Sequence, residues 1–496
     1  MCIFVGTVPN TVLQKLLHKS IYPTIDQNLG DSNVGGRKGK SIRSHSFIMN
    51  SVLHETNTIK SHPIDLAIYD YCQAYDAMSV EVTMNDLFDR GIVDNKLNLL
   101  NECDKEAKVA IKTPFGLTER VSVHKTVAQG DVNSTVKCTV TVSDVSEKHE
   151  ENLGEHIYKY KDSVPIPPLG MVDDIANISR CGVDSVLAAA HLNSQTNLKN
   201  LQFGKLKCVQ MHVGNKSASC PDNFIDTWTL QSKNQKVTSV WDLEDVESDQ
   251  HCMKKVTEWK YLGDVLNSNA KCDSNIKDRA GRGAGAADQI IQMLSDLCLG
   301  KYYFQSAIIL RTSLFLASLI SNAEAWVNLS PKNISDLEKI DEQLLRDLLS
   351  AQTKTPIETL YLETGSMPVR YVIFARRVNF LHYILCQDPD SLLGRIFRAQ
   401  CADPIKGDWA STVQKDLEFL NIKLSFDEIA NYSTSAFNKL VKDAIRKKAF
   451  SELVKQQKAH SKGIEIVYRD LNIQNYLKKD SPLDVSCLQL GLDPED

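Results

Sequence analysis

No Cys-x-x-Cys pair occurs in the chain, although it holds 13 cysteines, at positions 2, 72, 103, 138, 181, 208, 220, 252, 272, 298, 386, 401 and 487. The usual zinc-ribbon and knuckle spacings are therefore excluded. An odd count also argues against a closed secreted disulfide framework, so a reducing compartment is expected. Surplus positive charge is missing: at a net charge of −5 the chain has no overall electrostatic grip on phosphate, and any nucleic-acid surface has to be local. Long apolar runs are missing too. The most apolar later segment, Leu314 to Ile320, is far too short to cross a bilayer. The first residues, Met1-Cys2-Ile3-Phe4-Val5-Gly6-Thr7, lack the basic flank and apolar stretch of a signal peptide. Together these absences predict a soluble intracellular protein, nuclear or cytoplasmic.

What is present is ordinary globular composition, 42% apolar and 24% charged over 496 residues, enough for two to four domains at roughly 150 residues each. Val12, Leu16 and Leu17 have helical spacing, in a helix over 11–20 that should stop before Pro23. Asp31 to Ser41 reads as a flexible glycine-rich loop with Arg37, Lys38, Lys40 and Arg43 close together. Such a loop either cradles phosphate or is simply solvated. Ile64, Leu66 and Ile68 alternate as in a strand, with Asp70 at its end in the same parity. A helix through Val80, Met84, Leu87 and Phe88 follows, closed by Gly91. Val109 to Val123 reads as a hairpin around Pro114-Phe115-Gly116, and Ser143 to Lys161 as a polar surface excursion.

Two short apolar runs then flank Asp173-Asp174, which predicts a strand, a tight turn and a strand with the carboxylates at its crown. An Asp pair at a turn is ordinary solvated turn chemistry. Adjacent carboxylates are also what a hard cation such as Mg²⁺ prefers. Beyond a helix through Val186, Leu187, Ala190 and Leu198, a short strand should end at Gly214, with 215–250 as loop, including the acidic run from Asp242 to Asp249. Trp259 to Gly263 restores a strand. Three amphipathic helices are then expected: one on Ile276, Ala280, Ala284, Ala287, Ile291 and Leu294; one on Phe304, Ile308, Thr312, Phe315 and Leu319; one on Ile334, Leu337, Leu344 and Leu348. Further helices run to about 460, where Lys439, Lys442, Arg446, Lys447, Lys448, Lys455, Lys458 and Lys462 form a basic stretch, solvated or suited to nucleic acid.

In this order the pieces resemble the reverse transcriptase of non-LTR (LINE-type) retrotransposons, over most of the chain. Gly35-Gly36-Arg37 is similar to the family's Gly-Phe-Arg signature, with Gly36 in place of Phe. Tyr69-Asp70 through Tyr75-Asp76 resembles polymerase motif A, Gln129-Gly130 through Ser134 motif B, and Met171-Val172-Asp173-Asp174 motif C. Phe203-Gly204 to Lys207-Cys208 resembles motif D, and Tyr261-Leu262-Gly263 the primer grip of motif E.

The resemblance implies an α+β right-hand polymerase fold: partial fingers over 1–60, a palm with an antiparallel sheet and finger insertions over 61–250, primer-grip strands over 251–270, a helical thumb over 271–400 and a helical C-terminal extension over 401–496. It implies an RNA template, a DNA primer and deoxynucleoside triphosphates as partners, no membrane, and two Mg²⁺ ions, or Mn²⁺ in their place, about 4 Å apart. Asp70 and Asp173 would bridge both ions, with Asp174 in support; Asp76 matches a position the family uses structurally. Tyr75 matches the aromatic under the sugar of the incoming nucleotide, and is otherwise an ordinary core ring. Gln129 and Gly130 would approach template and nucleotide, with Arg37 and Lys38 nearby. Lys207 would protonate or neutralise departing pyrophosphate, with Lys205 two residues away as its competitor. The family also has a basic fingers segment ahead of Ile21–Asp26, which nothing before Val12 supplies, and it usually needs a nuclease. Motif C begins with Met171, where many reverse transcriptases have an aromatic residue. The expectation is a fragment of an element: a polymerase impaired by truncated fingers, or a non-catalytic nucleic-acid-binding remnant.

Overall fold

Ile64–Asp70 forms β1, the middle strand of a five-stranded sheet. The computed structural model describes residues 8–59, 63–104, 108–110, 112–119, 121–122, 130–180, 182–204, 207–214, 224–225, 251–297 and 303–460. Leu169–Met171 is β2, Asp174–Arg180 β3, Val209–Val213 β4 and Lys254–Lys255 β5. The strand order is β5-β4-β1-β3-β2, and every pairing is antiparallel except β4 with β5. The expected alternation in β1 captured half of its environment. Asp65, Ala67 and Tyr69 are as buried as Ile64, Leu66 and Ile68, because a central strand is covered on both faces.

The chain divides into two compact units. The first spans Met1–His45, Glu55–Leu262 and Asn267–Ala270; the second spans Ser46–His54, Gly263–Leu266 and Lys271–Asp496.

In the first unit, helix α1 (Val8–Gln27) does not stop before Pro23 but runs through it. An interior proline costs about 3 kcal/mol. Leu17, Ile21 and Ile25 repeat every four residues and bury against Met84, Leu87, Leu100 and Val140, each contributing about 1.5–3 kcal/mol, so packing outweighs the lost hydrogen bond. Helix α2 is Ile42–Ile59, of which Ser46–His54 belongs to the second unit; α3 is the short turn Ala74–Ala77, α4 Val80–Asp89 and α5 Asp94–Asp104. Gly91 follows α4 at φ +84°, as a helix stop requires, and Lys112–Thr113 pairs with Gly116–Leu117 in the expected hairpin.

A larger correction concerns Ser143 to Lys161. Instead of a surface excursion, this stretch continues α6 (Ser134–Leu153), in which Ser143, Val145, Ser146 and His149 are buried. Small hydroxyl side chains can be buried in a helix by bonding back one turn, as Ser146 does to the Val142 carbonyl at 3.3 Å. Two further buried polar groups are paired, Lys137 with Asp104 at 2.6 Å and the Tyr158 hydroxyl with Glu55 at 2.7 Å. Helix α7 (Val183–Leu198) packs beside α6. Between them they cover the Ala67, Tyr69 and Ile175 face of the sheet with Cys138, Val142, Val145 and Leu192.

The second unit is helical, and its first three helices are Asp273–Asp296, Tyr303–Leu319 and Pro331–Leu348. The middle one contains a π turn over Arg311–Phe315. Its buried face is Ala307, Arg311, Phe315 and Leu319, and Thr312 is exposed, so the predicted stripe holds at Phe315 and Leu319 and is shifted by one residue before them. The reason is an arginine on the inner face: Arg311 is held by Asp341 through two contacts at 2.7 and 2.6 Å, and the Tyr361 hydroxyl donates to the same carboxylate at 3.0 Å. A second polar hub is the buried carboxylate of Asp264. It accepts from the Ser46 hydroxyl, Asn275 at 3.3 Å, Arg279 at 3.1 Å, Asn322 at 3.2 Å and the Trp326 indole at 3.2 Å. The last described helix, Thr434–His460, carries the basic stretch; Lys439, Lys442, Lys447, Lys455 and Lys458 are exposed along it.

Candidate active site

β1 ends at Asp70 and β3 begins at Asp174, and the register pairs those two residues directly. Side chains so paired have Cβ atoms about 4.5–5.5 Å apart, a spacing at which like charges repel. Asp173 sits in the two-residue turn between β2 and β3. The chemistry follows this geometry: burial first, then the charges of Asp173 and Asp70, push the Asp174 carboxyl up to about 6. Asp173 is also raised, by burial foremost and then by Asp70. Three carboxyl groups thus crowd one end of the sheet, and the like charge there disfavours ionisation of Asp173 and Asp174.

One cation already answers them. Lys207 Nζ lies 2.9 Å from Asp70 Oδ1, and that bond, with the charges of Asp70 and Asp173, raises the ammonium pKa. Tyr75 is half-buried against the core that includes Cys138 and Phe203. Its phenol is pushed up to about 12, chiefly by burial, with Cys138 and Asp173 adding and a hydrogen bond from Thr135 opposing. Asp76 is exposed. Tyr261 closes the strand Glu258–Tyr261, and its buried hydroxyl donates to the Leu169 carbonyl of β2 at 2.9 Å. Leu262 and Gly263 form the turn that follows, at φ +47° and +91°, the two left-handed positions of a type I′ hairpin.

The predicted basic loop is built differently from its expected form. Arg37 is buried and clasps the loop to the end of α1, pairing with Asp26 at 2.7 Å and donating to the carbonyls of Asp26, Leu29, Gly30 and Asn33. Lys40 pairs with Asp31 at 2.8 Å. Lys38 is exposed, with its backbone N–H on the Tyr22 hydroxyl. Gly130 stands exposed at φ +103° ahead of α6. Gln129, Val127, Ala128, Lys205, Lys462 and the acidic run from Asp242 to Asp249 lie outside the described residues.

Sequence reasoning missed Asn33. It is fully buried, and its carboxamide grips the residue before Asp173 by both backbone groups: Val172 N–H donates to Oδ1 at 3.1 Å, and Nδ2 donates to Val172 O at 3.2 Å. Val172 is held at φ +62°, a left-handed conformation that costs a β-branched residue about 1–3 kcal/mol. The available signal was an amide beside Gly35-Gly36, in a loop read as either phosphate-cradling or solvated.

No protein-family model matches the chain, and no curated protein matches it. Among solved structures it is similar to telomerase from Candida tropicalis in complex with a TWJ fragment of telomeric RNA (12% identity, 91% of this chain and 56% of that one, TM-score 0.41). It is also similar to telomerase from Candida albicans with a TWJ fragment of telomeric RNA (11%, 84% and 57%, TM-score 0.35). A third similar structure is apo telomerase from Candida tropicalis (12%, 85% and 60%, TM-score 0.36). The chain spans less than two thirds of the length of each. Among the described residues no helix is long and apolar enough to cross a membrane.

Proposed function

We propose that the chain is a template-directed nucleotidyltransferase of the reverse-transcriptase kind, with a right-hand polymerase fold whose palm is the five-stranded sheet. The observation that carries this reading is the register of β1 and β3, which sets Asp70 opposite Asp174 with Asp173 in the adjoining turn. The donor set fits Mg²⁺ in its chemistry: three carboxylates, all hard oxygen ligands; burial, and after it the charges of Asp173 and Asp70, lifts Asp174 to about 6, and a divalent cation relieves the repulsion among them. Among the described residues no group of three His, Cys, Asp or Glu side chains is placed to hold a metal ion as it stands, and Asp70 is engaged with Lys207. Asp70, Asp173 and Asp174 would hold the ions, which when bound activate the attacking 3′-hydroxyl and steady the leaving oxygen.

The remaining roles belong to the chain. Lys207, largely exposed at 67%, is free to swing from Asp70 to departing pyrophosphate and donate its proton. Tyr75, close enough to Asp173 to feel its charge, would set a ring beneath the nucleotide sugar. A primed RNA template supplied with deoxynucleotides and Mg²⁺ tests the reading: incorporation above that of an Asp173→Ala variant supports it, and equal incorporation refutes it.

The exposed lysines of Thr434–His460 favour a second reading, a nucleic-acid-binding protein without catalysis. It requires salt-dependent binding to an RNA–DNA duplex that is unchanged when Asp70 and Asp173 are replaced.

A further inference from the structure

We propose that Asn33 is a positioning residue for the carboxylate cluster: it holds the Val172–Asp173 turn in the conformation that presents Asp173 and Asp174 together. The proposal rests on the metal-site reading above and adds to it the part that sets the site's geometry.

Three observations converge on the turn. Asn33 uses both ends of its carboxamide on the N–H and C=O of Val172, and the same Oδ1 also accepts from Gly35 N–H at 2.9 Å. The backbone on either side is tied as well, since Val34 N–H donates to Gly170 O at 3.0 Å and Gly170 N–H to Ser32 O at 2.6 Å. The 32–34 segment therefore adds a short parallel bridge beside β2, with Asn33 reaching past it to the turn. Finally, the two chains approach too closely for a side chain. A Cβ on Gly35 would lie 2.3 Å from Val172 N, and one on Gly170 would lie 2.9 Å from Asn33 Nδ2.

Valine is a poor residue for a left-handed turn position, where glycine is at ease. Without the amide the turn relaxes, and Asp173, the next residue, moves with it. A misplacement of about 1 Å at a reacting centre costs on the order of 100-fold in rate, and loss of a supporting contact typically costs about 10–100-fold in metal affinity.

The test is an electron paramagnetic resonance titration of Mn²⁺ on the full chain, run beside primer extension, for wild type, Asn33→Ala and Asn33→Ala with Val172→Gly. Asn33→Ala should weaken Mn²⁺ binding about tenfold and lower kcat more than it changes the nucleotide KM. Val172→Gly should restore most of both, because glycine adopts the turn unaided. Unchanged Mn²⁺ binding in Asn33→Ala, or no recovery on adding Val172→Gly, overturns the proposal. Should Asn33→Ala fail to fold, Gly35→Ala presses on the same turn at Val172 N and must weaken Mn²⁺ binding likewise; if it binds as wild type, the proposal falls. A wild type that binds Mn²⁺ but incorporates no nucleotide defeats the polymerase reading alone, and the titration still decides the role of Asn33. A wild type that binds no Mn²⁺ defeats both.

Discussion

Lys207 Nζ lies 2.9 Å from Asp70 Oδ1, so one residue of the carboxylate cluster is engaged by a cation of the chain itself. An exposed ion pair of this kind is worth about 0–1 kcal/mol, which a divalent ion readily displaces. Lys207→Met should therefore lower the Mg²⁺ concentration needed for half-maximal incorporation. It should also cut kcat by about 100-fold or more if the ammonium serves as general acid. The two effects have opposite signs, and a Mg²⁺ titration of the rate separates them; a solvated bystander would move neither.

Gly36 occupies the position where the resembling family carries phenylalanine. It sits at φ +66°, and a Cβ there would lie 2.5 Å from the Thr135 methyl. Gly36→Phe should destabilise the fold by roughly 1–3 kcal/mol, read as a lowered melting temperature. Thr135→Ser in the same background should recover part of the loss by removing the opposing methyl.

Asp264 gathers five side-chain donors, among them the buried Arg279 guanidinium. Asp264→Ala removes the shared acceptor of that charge and of four neutral donors, which should cost about 3–5 kcal/mol in chemical denaturation followed by tryptophan fluorescence. A loss below about 1 kcal/mol, the size of an average hydrogen bond, would mean that the hub is not structural.

His45 is fully buried, and among the described residues neither ring nitrogen has a hydrogen-bond partner. Burial lowers its pKa to about 3, against a smaller opposing effect of Asp31. Below about 6.5 the unfolded chain accepts a proton that the folded one refuses, so His45 makes stability fall with pH by about 1.4 kcal/mol per unit down to about 3. His45→Phe should remove that slope, and denaturation curves of the two proteins should diverge as pH falls from neutral towards about 4. Parallel curves would show that His45 is protonated in the folded state.

Much of this was legible in the sequence because it rests on local pattern. The alternation ending at Asp70, the apolar runs around Asp173-Asp174 and the helical stripes after Trp259 each fix an element without reference to the rest of the chain. What escaped was polar burial. Ser146 and His149 read as surface because hydropathy cannot register a hydroxyl bonded back into its own helix, or the contact between the His149 and His191 rings at 3.2 Å. Arg37 read as a phosphate-binding or solvated cation, and Arg311 did not stand out, because their partners, Asp26 and Asp341, are fixed only by tertiary structure. Asn33 was hidden for the same reason: its partner is 139 residues away.

The pairing of Asp70 with Asp174 makes one claim above all, that these carboxylates and Asp173 act as a single metal-dependent site. Deoxynucleotide incorporation on a primed RNA template, measured for wild type and for Asp70→Ala, Asp173→Ala and Asp76→Ala variants in Mg²⁺, tests it most directly. The account predicts that Asp70→Ala and Asp173→Ala each abolish incorporation while Asp76→Ala, at an exposed position outside the cluster, retains it. Incorporation that survives the loss of Asp70 or Asp173, or that is absent from the wild type, would contradict it.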